Sequence, residues 1–372
     1  MDTQVLSRNI RRLRQAGGRR LSLRALAKAT GLSEPALKKL EAGQTMPRTR
    51  TLQAIASALG VRLHDLMTAP RTLNSVRFRS KKMMKSRGVI LDRVSRWLDS
   101  LLYLEQVTGN ALPFALASVL DACRSNGPVA AAQLCRRALN LDQHEPIYDI
   151  IGLLVKAGVR VWTVQVSEDG FFGLAVGLED GGPAIVVNCS EKITVERQIF
   201  SAAHELGHIM LHPDAFDSSS EEERSGEEDE ANQFASHFLM PAEGFERKWK
   251  ESRGLHWLDQ ILEVKTHFRV SYKTVLMRLI ELDLVDRGTI WPSFKAEYQR
   301  RYDRRLGNLD EPTQEGAEPH ELPEFAFREA RFLRLIREAL EGGFISVGRA
   351  AAMLETTPSG MPELIESWEP AR

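Results

Sequence analysis

The N-terminal part of the chain shows apolar positions three and four residues apart, interrupted by polar turn residues. This spacing predicts five short helices between residues 5 and 67, because helical residues at those intervals share one face. Ser22 and Ser33 stand at positions favoured for helix N-caps, and Gly31 stands where a helix should end. The pattern therefore predicts an all-α domain over residues 1–69.

The pattern then changes. Residues 70–88 are interpreted as a basic connector, and a larger domain is predicted over residues 89–305. Helices are expected near its start, over 89–108 and 111–124. Three apolar runs separated by glycine-rich turns predict strands at 158–166, 171–178 and 183–188. Further helices follow from residue 194 onwards, so the expected fold is α+β with a small mixed or antiparallel sheet.

The end of the chain is predicted as a polar linker over residues 306–324 and a helical C-terminal extension over residues 325–372. Its last part resembles a degenerate helix-turn-helix, but its acidic end argues against DNA binding. The chain as a whole is therefore predicted to be multidomain.

The charge of the chain is strongly uneven. Its 372 residues have a formal net charge of zero, yet residues 1–87 carry 20 Lys and Arg against 4 Asp and Glu. A basic N-terminal domain on an acidic body favours contact with nucleic acid.

Several classes of protein are disfavoured by the composition. The three cysteines form neither a disulfide framework nor a C-x-x-C metal site. No apolar run approaches the roughly 18 residues that a membrane helix needs. The N-terminus is polar and basic, unlike a signal peptide. We therefore expect a cytoplasmic protein without a membrane partner.

The second and third predicted helices, joined by "TGLS", have the spacing of a helix-turn-helix. With the segment "LEAGQTMPRTRTLQAIASALGV" (40–61), they resemble the XRE-type helix-turn-helix family. The resemblance implies binding to double-stranded DNA, with the third helix in the major groove, and a homodimer on near-palindromic sites. The residues that it places at DNA are Ser33, Glu34, Ala36, Lys38 and Lys39 in the groove, and Arg24 and Arg48 near phosphates.

Two positions depart from the family pattern. Leu23 and Glu34 stand where the family often has glutamine. A carboxylate at residue 34 is repelled by phosphate, although it can accept a hydrogen bond from a cytosine amino group. The alternative for this domain is a protein-interaction module on the same scaffold.

The stretch "SAAHELGHIMLHP" (201–213) carries the candidate chemistry. His204 and His208 are four residues apart and share one helix face, so they can bind one zinc ion. Glu205 lies about 100° further round the helix and is placed to act as general base on an attacking water. The alternative is an ordinary apolar helix, but its small apolar residues would make unpartnered burial of these side chains costly.

A second stretch, "EDEANQFASHFLMP" (228–241), offers a third ligand. Glu228 and Asn232 share one helix face, and an apolar stripe could dock this helix against the first. Glu227 and Glu230 remain rivals of Glu228 as ligand. His212 is interpreted as a polar helix end, and His237 as peripheral.

Together, "HELGHIMLHP" and E-x-x-A-N-x-F-A-x-x-x-L-M-P resemble the ImmA/IrrE metallopeptidase family, which is related to the gluzincins. The segment "VRFRSKKM" (76–83) resembles the one that often precedes that domain. The resemblance implies a zincin-like α+β fold and Zn²⁺, with Mn²⁺ as the second possibility. The residues carried over are His204, His208 and Glu228 as metal ligands, Glu205 as general base and Asn232 as support behind a ligand.

The function expected from these features is that of a bacterial or phage DNA-binding transcriptional or stress regulator. Its zinc endopeptidase domain would make limited cuts in a partner protein, with a repressor as the expected substrate. Two alternatives stay open: a transcription factor whose peptidase-like domain only senses a ligand, and an antitoxin-like binding protein. By analogy with gluzincins, substrate would add to a sheet edge at 171–178 or 183–188.

Overall fold

The computed structural model describes residues 3–16, 21–59, 63–67, 73, 76–80, 87–166, 171–212, 225–306, 318–323 and 327–368. Their contacts divide the chain into two compact units. The first comprises Met1–Thr72, Lys85–Asn110 and Arg334–Arg372, and the second comprises Leu73–Met84 and Ala111–Leu333. The domain boundaries drawn from the sequence stay predictions. Among the described residues, no helix has the length and apolar character to cross a bilayer.

The five helices predicted at the N-terminus are confirmed. They are α1 (Thr3–Ala16), α2 (Leu23–Thr30), α3 (Glu34–Glu41), α4 (Thr49–Leu59) and α5 (Leu63–Met67). Ser22 caps α2 and Ser33 caps α3, each by accepting a hydrogen bond from a backbone N–H of the first turn. Gly31 ends α2 with a φ of 69°, a conformation that glycine adopts without steric cost. Leu26, Leu37 and Ile55 belong to the core that these helices share.

The remainder of the first unit is helical as well. It contains α6 (Arg87–Thr108), and from the C-terminal extension most of α15 (Arg331–Glu341) with α16 (Val347–Met353) and α17 (Met361–Glu366). Arg93 pairs with Glu355 at 2.9 Å, and the Arg349 guanidinium lies 3.7 Å from the centre of the Tyr103 ring. The predicted helical extension is confirmed, and it packs on α6.

The second unit is built on a mixed sheet of four strands. These are β1 (Val76–Ser80), β2 (Arg160–Val164), β3 (Phe171–Val176) and β4 (Ala184–Asn188). Their order is β1-β3-β4-β2, with β2 parallel to β4 and the other pairs antiparallel. Every residue of β3 and β4 is buried, which agrees with their nearly continuous apolar sequences.

Strand β1 corrects two expectations. It lies inside the segment interpreted as a basic connector, where two arginines conceal an alternating strand pattern. It also covers the outer edge of β3, while β4 lies between β3 and β2. Neither 171–178 nor 183–188 therefore offers a sheet edge, and the expectation that one of them would receive substrate is wrong.

Helices complete the second unit. They are α7 (Leu120–Ala138), α8 (Ile150–Lys156), α9 (Val195–Leu211), α10 (Ser225–Leu239), α11 (Ala242–Glu251), α12 (Trp257–Phe268), α13 (Tyr272–Glu281) and α14 (Arg287–Tyr302). The helix predicted over 111–124 is wrong in its first half, because residues 111–116 are not helical. Pro113 accounts for this, since a proline disfavours helical geometry in the residue before it.

Part of the predicted polar linker is packed rather than solvated. Glu318 is buried and accepts a hydrogen bond from the backbone N–H of Tyr272 at 2.9 Å. The ammonium group of Lys265 lies 2.7 Å from Glu196 and 3.5 Å from Glu318. One buried ammonium group thus lies close to two buried carboxyl groups and fixes this segment to the rest of the second unit. Residues 307–317 and 324 of the linker lie outside the described residues.

Candidate metal centre

The centre is carried by two helices in close contact, α9 and α10. Thr194 caps α9, and the helix is buried along nearly its whole length. Gly207 permits the close approach of α10, since a Cβ atom there would lie 3.0 Å from the Phe234 ring and 3.3 Å from the Ala231 Cα. The apolar stripe expected on the second helix is buried as foreseen: Phe234, Ala235, Phe238 and Leu239.

Three side chains converge where these helices meet. The Nε2 atoms of His204 and His208 are 2.9 Å apart. The two carboxylate oxygens of Glu228 lie 3.2 Å and 3.1 Å from those nitrogens. All three ligand atoms lie within 4.8 Å of one another. Ligands about 2.05 Å from a tetrahedral zinc would be about 3.3 Å apart, so this donor set fits such an ion.

The other ring nitrogens of the two histidines are held as well. His204 Nδ1 lies 2.9 Å from Asn232 Oδ1, in the place that the resemblance implied. His208 Nδ1 lies 3.2 Å from Nδ1 of His212, whose Nε2 is 2.7 Å from Glu230. His212 is thus more than a polar helix end, because it contacts one of the three converging side chains.

Glu205 is fully buried and points to the sheet rather than along the helix surface. A Cβ atom on Gly173 in β3 would lie 2.9 Å from its Oε1 atom. The carboxylate therefore occupies the space left by a missing side chain on the neighbouring strand.

The helix-turn-helix presents the expected basic side chains to solvent. Arg24, Lys38, Lys39 and Arg48 are exposed, while Glu34 and Ala36 are half-buried. Ser33 is exposed but uses its hydroxyl oxygen as the cap of α3. Arg14 of α1 forms a bidentate ion pair with Glu41 of α3 at 2.6 and 2.9 Å. The sequence pattern did not predict this contact.

Comparison with known protein families identifies both parts of the chain. Residues 10–66 match the helix-turn-helix family, and residues 173–280 match the IrrE N-terminal-like domain of a peptidase family. The chain joins a helix-turn-helix domain to an IrrE-type peptidase domain. Both resemblances stated from the sequence motifs are confirmed.

One curated relative supports the first assignment. The HTH-type transcriptional regulator DdrOP3 of Deinococcus deserti is 44% identical over 62 residues, which is 17% of this chain and 46% of the relative. The chain therefore matches less than half of that relative's length.

Burial and hydrogen bonding set the charges at the centre of the IrrE-type domain. Burial lowers the pKa of His208 to about 4, against the opposing hydrogen bond of Glu228. Burial alone would raise the pKa of Glu228, but the contacts with His204 and His208 outweigh it and hold that pKa well below its usual range. At neutral pH the imidazole of His208 is neutral and Glu228 is ionised, which are the forms that bind a metal.

Strand β1 brings a cation to Glu228, the third of the converging side chains in the IrrE-type domain. Arg77 donates a hydrogen bond to Glu228 at 3.1 Å and pairs with Glu227 through its other terminal nitrogen. Of the two rivals for the third ligand position, Glu227 is thus bound to Arg77, and Glu230 is bound to His212. Arg77 was missed from the sequence, because its partners lie about 150 residues away along the chain.

Proposed function

We propose that this protein is a DNA-binding regulator whose IrrE-type domain is a zinc endopeptidase that makes limited cuts in a partner protein, with a repressor as substrate. The observation that carries the proposal is the convergence of Glu228 from α10 with His204 and His208 of α9, the buried helix that also holds Glu205. Two imidazoles and one carboxylate leave the fourth position of a tetrahedral site open, as catalytic zinc sites do and structural zinc sites do not.

The donor set favours zinc, with manganese as the second metal, because imidazole nitrogen suits Zn²⁺ better than it suits Mn²⁺. A zinc ion supplies Lewis acidity, which polarises a peptide carbonyl and acidifies water.

Each side chain of the centre has a distinct part in the proposed reaction. His204, His208 and Glu228 hold the metal. Glu205 accepts the proton of the water that attacks the scissile carbonyl and then delivers it to the departing amine. Asn232 accepts the Nδ1–H of His204 and so keeps the lone pair of Nε2 directed at the ligand position.

The helix-turn-helix domain supplies the regulatory half of the proposal. Its exposed Arg24, Lys38 and Lys39 suit the major groove and backbone of double-stranded DNA. The matched relative is a transcriptional regulator by name, which favours the same role here. A homodimer would bring two α3 helices to successive major grooves, and a bacterial cytoplasm is where such a protein would meet DNA.

The proposal is tested with purified wild type and Glu205→Gln, which removes the base and keeps the shape of the side chain. Bound zinc is quantified, DNA affinity is measured, and each protein is incubated with the XRE-type repressors encoded in the source genome. We expect about one zinc per chain and equal DNA binding in both proteins, with cleavage by the wild type alone.

Two results would contradict the peptidase proposal. Zinc in both proteins with cleavage in neither would favour a ligand-sensing or antitoxin-like role. Absence of zinc from both, even after incubation with zinc salts, would mean that the three converging side chains do not form a zinc site.

A further inference from the structure

The end of helix α9 carries a chain of hydrogen bonds that neither the family match nor the proposed function assigns. His208 Nδ1 lies 3.2 Å from His212 Nδ1, and His212 Nε2 lies 2.7 Å from Glu230. The His212 side chain is only 7% exposed, whereas Glu230 is 53% exposed. The chain therefore runs from a fully buried histidine to a carboxylate at the surface.

The direction of every proton in this chain follows from the metal site. His208 directs Nε2 at the other ligands, and a metal needs the lone pair of that nitrogen, so the ring proton must be on Nδ1. This N–H can donate only if His212 Nδ1 accepts. The proton of His212 then lies on Nε2, where it donates to the carboxylate of Glu230. One set of tautomers satisfies all three side chains.

Helix α10 supplies the side chains that contact both zinc-facing histidines and His212. Glu228 reaches the ligand position, Asn232 accepts from His204, and Glu230 holds His212. His204 is thus oriented directly by α10, whereas His208 is oriented indirectly through His212. The His208 and His212 rings have an interplanar angle of 51° with centroids 5.3 Å apart, so the nitrogen–nitrogen contact rather than stacking relates them.

We propose that His212, anchored by Glu230, is a positioning residue that fixes the tautomer and ring orientation of His208 as a zinc ligand. The inference rests on the proposed zinc site and assigns a specific role to a residue outside its ligand set. Loss of a hydrogen-bond partner behind a metal-bound histidine lowers metal affinity by about 10- to 100-fold.

The experiment uses the full-length protein and two replacements of His212. His212→Leu removes the acceptor and keeps an apolar side chain of similar bulk. His212→Asn restores a hydrogen-bond acceptor, the amide oxygen, close to the position of Nδ1. The dissociation constant for Zn²⁺ is measured by competition with a chromogenic chelator, and the visible spectrum of the Co²⁺-loaded protein reports the geometry around the ion.

A positioning role predicts that His212→Leu raises the Zn²⁺ dissociation constant about 10- to 100-fold and shifts the Co²⁺ bands. His212→Asn should recover most of that loss. Glu230→Gln should have a smaller effect than His212→Leu, since the amide oxygen can still accept from His212. The metal-free variants are compared by thermal unfolding, and an unchanged midpoint separates the effect from general loss of structure.

Three results would overturn the inference. Wild-type affinity and an unshifted Co²⁺ spectrum in His212→Leu would show that His212 does not position the ligand. Equal losses in His212→Leu and His212→Asn would show that a hydrogen-bond acceptor at residue 212 does not restore zinc affinity. Failure of the wild type itself to bind Zn²⁺ would overturn the proposed function together with this inference, so the two failures are distinguishable.

Discussion

Glu205 of α9 and Gly173 of β3 are close neighbours, such that a Cβ atom on residue 173 would lie 2.9 Å from Glu205 Oε1. The same atom would lie 3.0 Å from the backbone oxygen of Val186 in β4. The backbone oxygen cannot move without disturbing the sheet, whereas the Glu205 side chain can turn. A methyl group at this position would therefore displace the side chain of Glu205, the candidate general base, rather than the backbone of the sheet.

Gly173→Ala should displace the Glu205 carboxylate and reduce cleavage of the partner protein about 10- to 100-fold, since small displacements of a catalytic group cost that much. Bound zinc should be unchanged, because Gly173 is not among the residues that converge on the metal position. The measurement is cleavage rate together with metal content.

Gly226→Ala is the matched control for that experiment. Gly226 lies in the first turn of α10, and a Cβ atom there would meet nothing within 4 Å. The control should cleave as the wild type does. Equal cleavage by Gly173→Ala and wild type would show that the position of Glu205 against the strand is not critical.

Removal of the metal should lower the thermal stability of the IrrE-type domain. Zinc present at 100 times its dissociation constant stabilises the folded state by about 2.7 kcal/mol. For a domain of this size, a chelator should then lower the unfolding midpoint by about 5–10 °C. Differential scanning calorimetry with and without zinc measures the shift. Glu228→Gln loses the charged ligand and should show little dependence on zinc; a shift as large as that of the wild type would argue against Glu228 as a ligand.

The buried cluster of Lys265, Glu196 and Glu318 should make stability depend on pH. Burial raises the pKa of Glu318 to about 8, with Lys265 opposing and Glu196 adding to the rise. The folded state therefore holds a proton that the unfolded chain, with an ordinary pKa near 4.5, releases. This contribution to stability is fully present below about pH 4.5 and is lost as the pH rises through about 8.

Glu318→Gln tests that dependence. The wild type should lose about 2–4 kcal/mol of unfolding free energy from this group between pH 5 and pH 8, and the variant should lose correspondingly less. Glutamine still offers an oxygen to the N–H of Tyr272. Denaturant unfolding at several pH values measures the slopes. Parallel slopes for the two proteins would mean that Glu318 is ionised in the fold.

DNA binding should depend on the exposed lysines of α3. The double substitution Lys38→Ala/Lys39→Ala should lower affinity for a random-sequence duplex about 10-fold or more at low salt and reduce the salt slope by about two. Fluorescence anisotropy at several salt concentrations measures both quantities. Lys156→Ala, at an exposed lysine of α8 outside the helix-turn-helix, is the control and should leave both unchanged. An unaltered salt slope in the double variant would exclude these lysines from phosphate contact.

The parts of the molecule that were predicted well depend on local signals. Helices α2 and α3 begin after Ser22 and Ser33 and are separated by Gly31, so caps and turn residues define them without tertiary information. The convergence of His204 and His208 follows from helix periodicity alone. The prediction that Glu228 joins them needed one further inference, namely that the apolar stripe of α10 would dock on α9.

The parts that were missed depend on pairing between distant residues. Val76 in β1 pairs with Val176 in β3, and this long-range pairing, rather than the short alternation of apolar and basic residues alone, establishes the strand. The burial of Glu318 similarly depends on Lys265, which is remote along the chain. His212 carries a local signal, the four-residue spacing from His208, but its contacts with His208 and Glu230 depend on how α10 packs against α9.

Strand β1 has a practical and an evolutionary consequence. A fragment starting at residue 89, where the larger domain was predicted to begin, would lack β1 and leave the edge of β3 unpaired. It would also lack Arg77, the cation bound to Glu227 and Glu228. The segment that follows the helix-turn-helix is therefore a structural part of the second unit and not a dispensable linker. Recombination that exchanged one helix-turn-helix domain for another would have to break the chain before Val76 to deliver a complete IrrE-type domain.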